Sequence, residues 1–169
     1  MRWLRLILPV LATAAAFVLA PISATAATTY SDSISGYEYA ATSTQGSFAG
    51  TASGDLPGYW HATVDHTPLD PDATITGGDF YLSTYLAGAL TTVSGEFAYG
   101  GSVTLENTST GCTNQYYAVK ATLDKVRFGA MGGGTGSFSG TLTHYRALVL
   151  GHCVTYSAKI AGSLSLARP

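Results

Sequence analysis

Tyr116-Tyr117-Ala118-Val119-Lys120-Ala121-Thr122-Leu123 alternates strictly along the chain. In an extended conformation Tyr117, Val119, Ala121 and Leu123 share one face, and Tyr116, Ala118, Lys120 and Thr122 share the other. One side is core, and the other is wet or lines a cavity. The same period of two recurs on both sides of this segment between glycine-bearing turns, and no apolar pattern of helical period follows residue 26. The alternation predicts strands over Ser33–Thr42, Ser47–Ala52, Trp60–His66, Thr74–Tyr85, Leu90–Ala98, Ser102–Asn107, Tyr116–Phe128, Gly136–Leu148 and Val154–Leu166. The fold class is therefore all-β.

A short element repeats within this pattern. Gly46-Ser47-Phe48-Ala49-Gly50-Thr51 is matched by Gly136-Ser137-Phe138-Ser139-Gly140-Thr141, with looser echoes at Gly78-Asp79-Phe80 and Gly95-Glu96-Phe97. In each, glycine permits a turn or bulge at the strand entrance and the phenylalanine two residues on points into apolar space. Gly50 and Gly140 fall on the phenylalanine face, where they leave room for bending or for a neighbouring aromatic ring. About nine strands in one domain make either a closed antiparallel β-barrel or a two-sheet β-sandwich. The in-strand glycines favour the barrel, as does closure itself, which removes edges that so few charges would otherwise guard.

Gly133-Gly134-Thr135-Gly136-Ser137-Phe138, followed by Thr141-Leu142-Thr143-His144-Tyr145, resembles the Gly-Gly-Thr-Gly-x-Phe turn and strand of the dirigent and allene oxide cyclase group. The resemblance covers roughly ten residues. It implies an eight-stranded antiparallel barrel with a central cavity, often assembled as a homo-oligomer, that guides coupling or cyclisation of a small hydrophobic molecule.

The first 26 residues have the layout of a secretory signal peptide: Arg2 and Arg5, an apolar run from Leu6 to Ala20, then Ala24-Thr25-Ala26. The run is shorter than the roughly 20 residues a bilayer span requires, so cleavage after Ala26 is expected. The alanine-rich leader reads as bacterial. Residues 27–169 then form a single exported domain with no membrane attachment after cleavage, carrying six Lys/Arg against ten Asp/Glu, a net charge of −4. That balance argues against nucleic acid as a partner. Cys112 and Cys153 are an even pair in an oxidising compartment and are expected to form a disulfide. In a eukaryotic secretory route Asn107-Thr108-Ser109 would be a glycosylation acceptor.

Nine acidic residues and no Lys or Arg lie between Ala27 and Gly111, whereas six basic residues and only Asp124 lie from Cys112 onward. Such segregation either steers a charged ligand or draws the first and last strands together on closure, and the second reading is the simpler.

The densest polar cluster runs from Trp60 to Asp72. On a strand, His61, Thr63 and Asp65 share a face, yet His61 and Asp65 lie about 13 Å apart, too far to act as a pair. Cross-strand partners are required: His144 is the candidate histidine, with Asp79 or Glu38 as its carboxylate. His61, Asp65, His144 and Tyr145 are thus the candidate catalytic residues. Asp70 and Asp72 could offer oxygens to calcium, but Pro68-Leu69-Asp70-Pro71-Asp72 is equally explained by turn formation. No cofactor motif, nucleophile elbow or zinc-binding helix is present. Tyr37 and Tyr39, with Tyr81 and Tyr85, have same-face spacing and could line a pocket or a glycan-binding surface.

These features predict an exported, disulfide-containing barrel that acts as a binding or structural module, its partner a small hydrophobic molecule or a glycan. The alternatives are a dirigent-like or cyclase-like enzyme orienting a substrate in the barrel, and a calcium-dependent carbohydrate or adhesion module. A lumen filled by Phe48, Phe97 and Phe138 would remove the small-molecule readings; a cavity of several hundred cubic ångströms would favour them.

Overall fold

A computed structural model describes residues 27–107 and 111–169. The expected leader and most of the Asn107-Thr108-Ser109 motif lie outside the described residues. Nine strands follow one another: β1 (Thr28–Ala41), β2 (Gln45–Gly54), β3 (Gly58–His66), β4 (Ala73–Leu86), β5 (Ala89–Phe97), β6 (Gly101–Leu105), β7 (Gln115–Phe128), β8 (Met131–Val149) and β9 (His152–Arg168). All pair antiparallel, in the order β3-β2-β1-β9-β8-β7-β5-β4, and β4 pairs back onto β3 to close an eight-stave barrel.

Nine strands make eight staves because β5 and β6 lie end to end between β4 and β7. Glu96 pairs with Asp79 and Asp124, while Val103 pairs with Ala73 and Val119. The break between them falls at Ala98-Tyr99-Gly100, where Gly100 takes φ +102. The backbone is not left unpaired there: Ala98 N–H donates to Thr122 O at 3.0 Å, and Gly100 N–H donates to Ile75 O at 3.0 Å.

The alternation assigns the faces. Tyr117, Val119, Ala121 and Leu123 are buried inside, as their spacing predicts. Phe48, Phe80 and Phe138 also point inward, and Phe97 packs against the same core. β8 begins at Met131 rather than at the predicted Gly136, since Gly134 already pairs with Val126. Gly136 is consequently an inward position within the strand, where a Cβ would stand 2.8 Å from Leu166.

Two cross-strand glycine pairs shape the wall: Gly36 faces Gly50 between β1 and β2, and Gly140 faces Gly162 between β8 and β9. A Cβ on Gly36 would come within 2.6 Å of the Trp60 indole, and one on Gly140 within 2.6 Å of the Phe138 ring. Each aromatic ring therefore lies over bare backbone, and the wall bends towards it.

One end of the barrel is closed by the β2–β3 turn. Leu56 is fully buried there, a contribution of roughly 1.5–3 kcal/mol for a side chain of this size. Asp32 holds the turn in place, its Oδ1 accepting the Leu56 N–H at 2.8 Å, while Asp55 accepts the Ser31 N–H at 2.8 Å. The other oxygen of Asp32 is buried without a hydrogen-bond partner among the described residues. Burial, opposed by the Leu56 N–H and reinforced by the Asp55 charge, raises the Asp32 pKa above its ordinary value.

Two predictions follow from this packing. Gly162→Ala brings a methyl group to 2.4 Å from Ser139 O and should destabilise by about 1–3 kcal/mol in urea unfolding. Gly132→Ala meets only the flexible Arg127 side chain at 3.6 Å and should be neutral or slightly stabilising. Asp32 carries the second. A carboxyl whose pKa rises on folding loses stability as pH climbs through that window. Asp32→Asn, which keeps the acceptor for Leu56, should therefore raise the melting temperature at pH 7, and the gain should vanish below the ordinary aspartate value of 3.8.

Candidate functional site

The barrel encloses a cavity of about 560 Å³ that opens at the end opposite Leu56. Its wall is mainly Ile34, Phe48, Trp60, Phe80, Phe138 and Ile160, with Ala62, Ala121 and Ala158 supplying the space between the larger groups. The phenylalanines form the wall but do not fill the lumen. The mouth is bordered by the β1–β2 turn at Thr42 and Ser43, by Pro68 and Leu69 after β3, and by Thr155–Ser157 at the start of β9.

Among the described residues, three ionisable groups other than tyrosines line this apolar space: Glu38, His66 and His144. Each reaches it by strand alternation. Glu38 continues the inward series Ile34, Gly36; His66 continues Trp60, Ala62, Val64; His144 follows Leu142. Glu38 is the cross-strand partner of Phe48 and lies beside Gly46, where a Cβ would be 2.8 Å from its Oε1. Burial pushes its carboxyl above the usual glutamate range. It makes no hydrogen bond among the described residues, in contrast to Asp65, which accepts from Gln45 Nε2 at 2.7 Å.

His144 packs against the Tyr117 ring with centroids 5.1 Å apart. Burial first, then the nearby charges of Arg146 and His66, lower its pKa, so the imidazole is neutral at pH 7. His66 Nδ1 lies 2.7 Å from Thr67 O. A carbonyl only accepts, so Nδ1 carries a proton in this contact.

The rim is fixed covalently. Cys112 and Cys153 form a disulfide with Cα atoms 5.4 Å apart, tying the β6–β7 loop to the β8–β9 hairpin. Asn114 reinforces this link: its Oδ1 accepts the Arg146 N–H at 3.2 Å and its backbone O accepts from Asn107 Nδ2 at 2.9 Å. The hairpin tip projects from the rim with Leu148, Val149 and Leu150 exposed, Leu150 by 95%.

The four candidate catalytic residues do not converge. His144 lines the cavity, whereas His61 stacks on Tyr81 on the outer wall with ring centroids 4.9 Å apart. Asp65 is outside with Gln45, and Tyr145 lies beside Tyr156, centroids 6.4 Å apart. The tyrosines also separate. Tyr39 borders the mouth; Tyr37 is outside with Lys159 Nζ 6.0 Å from its ring centroid; Tyr85 is exposed near the β4–β5 turn. A shallow groove runs across the outer wall between Tyr59, His61 and Ser83. Asp72 accepts the Leu105 N–H at 2.8 Å and Asp70 donates its N–H to Asp72 O, which fits turn formation. No group of three or more His, Cys, Asp or Glu able to hold a metal gathers among the described residues.

Glu38, offered by the sequence only as a partner for His144, and His66, passed over within its cluster, are the cavity groups that reading underweighted. Their signal was the apolar company they keep at two-residue spacing.

In a histidine-resolved NMR titration His144 should have its midpoint below the ordinary value of 6.5, and Arg146→Ala should move it part of the way back. Because the folded pKa is the lower one, this residue's contribution to stability is present above pH 6.5 and is lost as pH falls through the histidine range.

No protein-family model, curated protein or solved structure matches the chain.

Proposed function

We propose that this disulfide-containing barrel is an exported binding protein that holds one small apolar molecule in its lumen. The carrying observation is the one-ended cavity of about 560 Å³, within the roughly 300–1,000 Å³ typical of small-molecule sites. An apolar wall favours a hydrophobic skeleton by removing it from water, and the few polar groups near the mouth orient it. The disulfide is compatible with an extracellular setting and holds two rim segments in register around the opening.

A second reading, catalysis on a molecule held in the same place, draws on one observation. Glu38 is pushed up and His144 down, which moves a carboxyl and an imidazole in one apolar cavity towards each other in acidity. The resemblance of the Gly133–Phe138 turn to the dirigent and allene oxide cyclase group supports this alternative. Binding is preferred because it needs only the cavity, whereas catalysis also needs the two groups to meet at one reacting atom.

The neutral dye N-phenyl-1-naphthylamine should bind at a single saturable site, with enhanced and blue-shifted emission. Ala158→Phe, which places a ring in the lumen, should weaken binding at least about tenfold, equivalent to about 1.4 kcal/mol. Tyr81→Ala on the outer wall should leave it unchanged. Dye binding lost with Tyr81→Ala but retained in a correctly folded Ala158→Phe would move the site to the outer wall.

A further inference from the structure

Resting on the reading of the lumen as a ligand site, the arrangement of polar groups within it specifies the ligand's polar end. Among the described residues Glu38 is the single carboxylate on the cavity wall, and no Lys or Arg lines the cavity beside it. Burial is the cause that raises its pKa. Glu38 is half-buried at the mouth side of the cavity, so a ligand that displaces the water there must itself supply a donor to the carboxylate.

The other ionisable groups that face the lumen do not supply it. His144, on β8, is held neutral, and Arg146 next to it does not line the cavity. His66, at the end of β3, spends its Nδ1 proton on Thr67 O. Tyr39 and Tyr156 border the mouth and are exposed to water. Among the described residues the wall therefore carries one carboxylate, one neutral imidazole and a second imidazole whose Nδ1 proton is already engaged, in a domain (residues 27–169) whose acidic residues outnumber its basic ones.

We propose that the lumen binds an apolar amine, its protonated nitrogen donating to Glu38. An alkylammonium offers three N–H donors and a positive charge, matching the acceptors on the wall. A hydroxyl offers one neutral donor. A carboxylate brings a second negative charge towards Glu38 in a cavity of low dielectric and is disfavoured.

The test uses three ligands with one tail, decylamine, decan-1-ol and decanoate, each displacing N-phenyl-1-naphthylamine from the secreted protein at pH 7. In the wild type decylamine should bind about tenfold or more tightly than decan-1-ol, and decanoate should be the weakest. Glu38→Gln, which preserves shape, should bring decylamine to within about threefold of decan-1-ol while leaving decan-1-ol itself unchanged. Glu38→Leu should give the same collapse, which separates loss of charge from any new amide contact. Decanoate binding as tightly as decylamine, or an amine preference that survives both substitutions, would overturn the assignment while leaving the lumen a ligand site. If neither the dye nor any of the three ligands enters the lumen, the binding reading fails and this assignment fails with it.

Discussion

Closure depends on backbone meeting backbone. At Gly36 opposite Gly50, and at Gly140 opposite Gly162, neighbouring strands present no side chain to the interior, and Trp60 and Phe138 lay their rings across the space. A Cβ at Gly50 would lie 2.0 Å from Ser35 O and one at Gly162 2.4 Å from Ser139 O. Those are backbone atoms, which cannot rotate away as a side-chain tip can. The glycines weaken the strands that contain them, since they pack nothing and lose more entropy on ordering. The covering aromatic rings return apolar burial at the same places, and a wall free to curl there can join β3 to β4.

The same economy of side chains leaves room inside. Eight-stave barrels are just wide enough for their inward residues to fill them. Here many inward positions are glycine or alanine, including Gly46, Gly136, Ala62, Ala121 and Ala158, so the large rings border a void instead of meeting at the axis. At the closed end the residues are larger: Leu56, Leu82, Val93, Val126, Phe128 and Leu166 are essentially inaccessible. The barrel is thus packed at its base, where stability is built, and open at its mouth.

Much of this was legible in residue order. Strict alternation in Tyr116–Leu123 assigned its inner face correctly, and the Gly-x-Phe repeats announced both the curvature and the inward aromatic rings. The strand count was legible too, but not the number of staves, because nothing local says that β5 and β6 share one position in the wall. That is decided by β4 and β7, each long enough to pair with both. The site was legible only in part. His61 and Asp65 drew notice as a dense polar cluster, yet the alternation that buries Trp60 and Ala62 turns those two outward and His66 inward. Charged residues on a solvated face are common, so density is a poor guide. A lone Glu38 in the series Ile34, Gly36, Glu38 was the more informative feature, because an ionisable group on a core-facing register must be explained by burial, by a partner or by a ligand.

Asp32 and Glu38 show how that distinction works on a single strand. Both face inward from β1, and both have carboxyls raised by burial. Asp32, at the packed base, accepts the Leu56 N–H and so holds the turn that seals the barrel. That bond offsets only part of its desolvation, since its other oxygen is buried without a partner among the described residues. Glu38, six residues later and facing the void, has no such N–H to accept among the described residues, although replacing it by an apolar residue would cost the surrounding wall nothing in hydrogen bonding. The two ends of β1 thus differ in what their carboxyls meet: at the base a backbone N–H that fixes a turn, at the mouth an apolar cavity with room for a donor.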